Sequence, residues 1–152
     1  MSIVAAIVIL GILVTVHELG HFLVAKWCRV GVLEFSIGFG PVLWARTFGE
    51  TTYSLRGFPL GGFVRMAGDD PSLVLEGKAI DSSDAAGASP IEGTQQLTPE
   101  QERLLKDESK WFLKKPYLPR CAVVLAGPLF NFLFAWVLAA GFVFSKGVPH
   151  LE

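Results

Sequence analysis

IVAAIVILGILVTVHELGHFLVA, residues 3–25, is the stretch on which the fold turns. From Ile3 to Val16 it carries no charge, and its apolar character resumes after His21 with Phe22, Leu23, Val24 and Ala25. At a rise of about 1.5 Å per residue, such a helix crosses a hydrocarbon core of about 30 Å. A cleaved signal sequence fits poorly, because no basic segment precedes the run and the run is too long. A second stretch, AVVLAGPLFNFLFAWVLAAGFVF at 122–144, is uncharged throughout. The rest of the chain offers too little apolar mass to bury it as a soluble core helix. Both stretches are predicted to be transmembrane helices.

Composition agrees. Of 152 residues, 51% are hydrophobic and only 18% charged, and the mean hydropathy is +0.48. Charge that sparse departs from the soluble average of about a quarter, and so much apolar surface excludes disorder as the dominant state. Thirteen Lys and Arg against 14 Asp and Glu give a formal net charge of -1, so nothing favours nucleic acid as a partner. Two cysteines, Cys28 and Cys121, exclude a disulfide framework. No internal repeat is visible.

Twelve of the 13 Lys and Arg lie between Lys26 and Arg120. The positive-inside rule then places loop 26–120 in the cytoplasm and both termini on the other side. Cys28 and Cys121 would face the reducing compartment as free thiols.

The loop subdivides. Leu33, Phe35, Ile37 and Phe39 alternate with Glu34, Ser36 and Gly38, which is strand periodicity. Val42 to Phe48 follows the Gly40-Pro41 turn as a second strand. Thr51–Leu55 and Gly62–Met66 flank Arg56–Gly61 and read as a hairpin with a wide turn. Phe39-Gly40 reads as a turn or as a gate element. Residues 31–68 thus form a β element whose apolar face needs the membrane or the helices to cover it. Residues 69–97, rich in Ser, Gly, Ala, Asp and Pro, read as a flexible loop. Thr98, Pro99 and Gln101 form a helix start with a capping box, predicting an amphipathic helix over 98–113. The spans occupy 1–26 and 120–145, and 146–152 is a tail. The predicted fold class is an α-helical membrane protein: two transmembrane helices with a small membrane-associated antiparallel β element in the cytoplasmic loop.

Inside the first span, His17-Glu18-Leu19-Gly20-His21 matches H-E-x-x-H. Positions i and i+4 share a helix face, so both imidazoles can bind one zinc ion, with Glu18 beside the first ligand. A metal of this kind acidifies water and polarises a carbonyl. Ionisable groups in a membrane helix cost several kcal/mol unless ligated, paired or hydrated. Against that cost the second span sets only Asn131. A structural polar cluster or a proton relay is the competing reading of the three groups.

Four blocks, in order, resemble the site-2 protease family of intramembrane zinc metalloproteases, nearest to its bacterial regulator-of-sigma-E protease branch. They are HELGHF (17–22), FSIGFGP (35–41), PLGGFVRM (59–66) and AGPLFN (126–131) with Ala135. The resemblance covers 1–68 and 110–148; residues 69–109 match no part of it. It implies Zn2+ on His17 and His21, with Glu18 as general base. It makes 57–66 a β element that holds substrate in extended form, with Gly61, Gly62, Phe63 and Asn131 as substrate-binding residues. The residues themselves leave two alternatives open. Gly61 and Gly62 also suit a plain turn, and Asn131 also suits polar glue between helices. The implied partners are membrane lipid and single-span proteins such as anti-sigma factors or remnant signal peptides. The implied location is the bacterial inner membrane.

Zinc in a hydrolase takes three protein ligands and keeps one position open. Family members place the third, an aspartate of an L-D-G motif, on a later membrane helix. Asp69, Asp70 and His150 are not well placed for it. The expectation is therefore the N-terminal catalytic part of a larger enzyme, inactive without the third ligand; Leu151-Glu152 resembles a cloning remnant. The alternatives are a non-catalytic membrane module that captures transmembrane partners by β-augmentation, and a metal or proton transporter, disfavoured because Asn131 is the only polar group on the second span.

Overall fold

A computed structural model describes residues 3–69 and 98–146. Apart from Asp69 and the end of the last helix, the loop expected over 69–97 and the tail 146–152 lie outside the described residues. Asp70 and His150 do too. In chain order the elements are α1 (Ile3–Trp27), β1 (Val32–Phe48), β2 (Thr51–Met66), α2 (Pro99–Lys106), two short 3-10 turns (Glu108–Lys110 and Phe112–Lys114) and α3 (Tyr117–Lys146).

α1 and α3 coincide with the two stretches read as spans; α1 runs one residue past the expected end at 26, and α3 begins three residues before the expected start at 120. Both are long and apolar enough to cross a membrane. Little of either is covered by protein: Val8, Leu10, Val124, Leu125, Phe132 and Trp136 all stand exposed. Such a surface is costly in water and suits lipid. α1 closes with a Schellman motif, Val30 N–H donating to the Ala25 carbonyl at 2.8 Å. Arg29 takes the left-handed position with φ 54°, where glycine is the usual choice. Where α1 meets α3, Gly20 makes the close approach possible; a Cβ there would stand 2.6 Å from the Ala126 carbonyl oxygen.

β1 and β2 pair antiparallel, but not as the expected hairpin of 51–55 with 62–66. The turn lies at Gly49-Glu50, joining 42–48 to 51–56, with partners running from Phe48↔Thr51 to Val42↔Arg56. β1 then bends through Gly38 and Gly40, whose φ angles of 88° and 84° suit glycine alone. Beyond the bend the antiparallel order gives way on one side: residues 34–37 run parallel to 52–55 and antiparallel to 62–65, with Glu34 opposite both Thr52 and Arg65. The four straight segments therefore lie in the order 42–48, 51–56, 32–37, 62–66. Local alternation specifies the strands but not these partners, because a bend in β1 re-pairs its two halves.

The polar residues that alternate along β1 are not turned to solvent. Glu34 and Ser36 are buried, as are Ser54 and Arg56. Arg56 donates to Glu34 Oε1 at 3.0 Å, to Ser36 Oγ at 3.0 Å and to the Gly40 carbonyl at 3.1 Å, and Ser54 Oγ donates to Glu34 Oε1 at 2.8 Å. A buried ion pair survives only when its remaining donors and acceptors are satisfied in this way. The network pins the bent half of β1 to β2.

The β element seats on α1 through aromatic packing: Phe22 meets Phe35 at 5.1 Å and Tyr53 at 5.9 Å between centroids. Phe22, Ala25, Val30, Val32, Phe35, Met66 and Val123 form one buried cluster joining α1, the sheet and α3. Leu33, Ala67 and Leu104 form a second beneath α2.

α2 begins as expected, with Thr98 and Gln101 closing the capping box. It ends at Lys106, short of the expected Leu113. The Asp107 carboxylate accepts from Ser109 N–H at 3.1 Å and from Ser109 Oγ at 2.6 Å. This local bonding competes with the helix ladder and starts a 3-10 turn instead. Gln101 is also more than a cap, since its amide donates to the Leu33 carbonyl at 3.2 Å and to Thr52 Oγ1 at 3.1 Å. Both cysteines are unpaired.

Candidate active site

α1 carries His17 and His21 on one face, one turn apart. Their rings meet edge to face, with centroids 4.8 Å apart and planes at 81°. Opposite them α3 presents Gly127, and both Nε2 atoms converge on it. A Cβ built there would overlap His21 Nε2 and lie 2.6 Å from His17 Nε2. With no side chain at Gly127, the two imidazole nitrogens come together against bare backbone, and a nitrogen pair of this kind suits a small cation.

The remote ring nitrogens are held by α3 as well. His21 Nδ1 lies 2.7 Å from the Val123 carbonyl oxygen, an acceptor only, so Nδ1 carries the proton and Nε2 keeps its lone pair. Metal-ligating histidines commonly have such a partner. His17 Nδ1 faces the Asn131 side-chain amide at 3.4 Å. Residues 123, 127 and 131 are four apart on one face of α3, and their order opposes that of 17 and 21. Antiparallel helices with the same four-residue step thus build the site. Pro128 removes the N–H that would bond the Val124 carbonyl, opening the ladder one residue from the carbonyl His21 uses.

Glu18 is half-buried on the side of α1 facing β2. A Cβ at Gly62 would stand 3.6 Å from Glu18 Cγ and 2.5 Å from the Ser36 carbonyl oxygen. Only glycine lets the strand pass so close. Farther along α1 the Pro59 carbonyl lies against Gly11, so β2 runs beside the helix past the site. Gly61 has φ 147° and abuts the Phe39 ring. The Phe63 ring lies under the guanidinium groups of Arg56 and Arg65, 5.1 and 5.8 Å from its centroid.

The predicted residues thus divide. His17, Glu18, His21, Gly62 and Asn131 come together; Gly61 is next to them and packs on Phe39, and the Phe63 ring is taken up within the β element. Sequence reasoning missed Val123 and Gly127. The signal available was the repeat of four in Val123, Gly127 and Asn131, matching the repeat of four in the histidines. Among the described residues no cluster of three His, Cys, Asp or Glu gathers around a metal position.

Fold and site together define a class: a protein of membrane-spanning type that carries an HExxH pair inside an apolar helix and a β element alongside. The chain belongs to Peptidase family M50, whose sequence pattern matches residues 5–152. Protease RseP of Yersinia pestis is 42% identical over 152 residues, covering 99% of this chain and 27% of that protein. Regulator of sigma-W protease RasP of Bacillus subtilis is 30% identical over 204 residues, covering 99% of this chain and 47% of that protein. A Nostoc sp. protein whose name includes the words zinc metalloprotease is 38% identical over 148 residues, covering 97% of this chain and 33% of that protein. The chain therefore spans from about a quarter to about a half of the length of these curated relatives.

Proposed function

We propose that this chain forms the N-terminal catalytic part of an intramembrane zinc endopeptidase that cleaves single-span membrane proteins. The observation that carries the reading is the convergence of His17 and His21 Nε2 on the bare backbone at Gly127, with Glu18 against the strand at Gly62. The protease names of RseP and RasP support it, as do the words zinc metalloprotease in the Nostoc relative's name.

His17 and His21 hold the metal, and the third ligand comes from beyond the described residues. Zinc bound there supplies Lewis acidity, acidifying water and polarising a carbonyl. Glu18 takes the proton from the attacking water and delivers it to the leaving amine nitrogen. A helical substrate hides its scissile carbonyl in its own hydrogen bonds and must unwind. Among the described residues, 62–65 pair as strand with 34–37 on one side only, and an extended peptide can add as a strand at the other edge. Gly61 and Gly62 let a second backbone come near. The basic residues at the inner ends of both helices support a cytoplasmic position for loop 26–120 and outward termini. RasP is named for sigma-W regulation, which favours anti-sigma factors as substrates, with remnant signal peptides as the other class.

The test is Glu18→Gln in the full-length protein, assayed on a single-span membrane substrate. Zinc content stays at the wild-type level and turnover is abolished. Cleavage at the wild-type rate refutes the assignment. Residues 1–152 by themselves are expected to lose zinc on dialysis and to cleave poorly.

A further inference from the structure

The four-residue step of α3 includes one member, Asn131, whose contact is with a histidine and not with the β element. Val123 orients His21 and Gly127 leaves room for the ion, while Asn131 reaches His17 by its side-chain amide. As oriented, Asn131 Nδ2 faces His17 Nδ1 at 3.4 Å, and the Asn131 Oδ1 atom is buried with no partner. An amide turned over about its last bond fills the same volume with oxygen and nitrogen exchanged. In either orientation one end of the amide lacks a protein partner, so hydrogen-bond counting alone does not choose between them. Ligand chemistry does. For His17 to offer the Nε2 lone pair toward Gly127, its proton must sit on Nδ1, and Nδ1–H needs an acceptor. An NH2 group in that place would donate into Nδ1 and leave the proton on Nε2, which abolishes ligation.

We propose that Asn131 is a positioning residue whose amide oxygen accepts the His17 Nδ1–H, fixing the tautomer and ring orientation that the metal requires. The proposal rests on the zinc-site reading above. It makes α3 the common outer shell of both ligands: a backbone carbonyl for His21 and a side-chain carbonyl for His17, eight residues apart on one helix face. A backbone carbonyl cannot be mutated away, whereas Asn131 can.

Asn131→Leu removes the acceptor while keeping the branching and the number of side-chain heavy atoms, and Asn131→Asp keeps an acceptor at the same place. Both are made in the full-length protein, stripped of metal in detergent and titrated with Zn2+ against a chromophoric chelator. Asn131→Leu is expected to weaken zinc binding about 10–100-fold, the usual cost of losing an outer-shell partner. Asn131→Asp is expected to bind at least as tightly as wild type. The visible spectrum of the Co2+-loaded protein should change in Asn131→Leu and be retained in Asn131→Asp. Thermal unfolding of the metal-free proteins separates positioning from plain helix glue. Glue alone predicts a lowered midpoint in Asn131→Leu with unchanged zinc affinity, which overturns the proposal. Equal losses of affinity in both variants also overturn it, because the acceptor would then not be what matters. Wild-type protein that binds no Zn2+ at all would instead sink the reading of His17 and His21 as ligands, and this one with it.

Discussion

Gly127 sets how closely the two imidazoles approach α3. A methyl group at that position has no room unless the imidazoles retreat, since His17 Nε2 lies 2.6 Å from where it would stand. Contacts that short require the imidazole ends to shift. Gly127→Ala is expected to cut zinc affinity by at least about tenfold, comparable with the loss of an orienting partner, while α3 remains folded because alanine favours helix. Equilibrium dialysis against Zn2+ checks it; unchanged affinity would mean that the ion sits elsewhere. Much at this scale was legible in the sequence. His17, Glu18 and His21 announce themselves because three ionisable groups in an apolar helix demand an explanation. Val123 and Gly127 do not, because a backbone carbonyl and a missing side chain acquire meaning only once the register of α3 against α1 is known.

At the scale of elements, the turn Gly49-Glu50 ties three parts of the molecule. Glu50 receives Lys26 Nζ from the end of α1 at 2.7 Å and Lys110 Nζ from the 3-10 turn before α3 at 3.2 Å. Partial burial pushes the Glu50 carboxyl upward, but bonds to and charge from Lys26 and then Lys110 outweigh it, holding the group below its ordinary value of 4.5. A carboxyl depressed in the folded state stabilises fully above its unfolded value and loses that contribution as pH falls through its folded value. Acidification below about pH 4.5 should therefore loosen this junction. The measurement is amide hydrogen exchange at 49–51 against pH: faster intrinsic-corrected exchange in acid for wild type, and a pH-independent, already raised rate for Glu50→Gln. A wild-type rate that is flat with pH rejects the tie. The sequence showed the strands and the capping box at Thr98 because those are local patterns. It did not show that 62–66 pairs with 34–37 rather than with 51–55, since both choices satisfy the same alternation. Nor did it show that Asp107 would spend its carboxylate on Ser109 and end α2 early.

For the molecule as a whole, the β element lies beside α1 and within the depth that α1 spans. Gly11, which touches the Pro59 carbonyl, is seven residues before Glu18, or about 10 Å farther along the helix axis. The exposed side chains of that end of the sheet are apolar: Leu43, Trp44, Leu55, Phe58 and Leu60. They are expected to sit in acyl chains. With Trp44 left as the sole tryptophan, its fluorescence should be quenched by lipids brominated along the chain and spared by aqueous iodide. Quenching by iodide alone would place the sheet outside the bilayer.

The partnership of α1 with α3 carries a cost in time. Roughly 90 residues separate the end of α1 at Trp27 from the start of α3 at Tyr117. At about 5–20 residues per second of synthesis, α1 waits several seconds for its mate. Throughout that interval the nascent chain holds two imidazoles and a carboxylate in or near the lipid with neither the Val123 carbonyl nor the Asn131 amide to receive them. Biogenesis of this protein thus needs a sheltered or hydrated resting place for its opening segment until α3 is made.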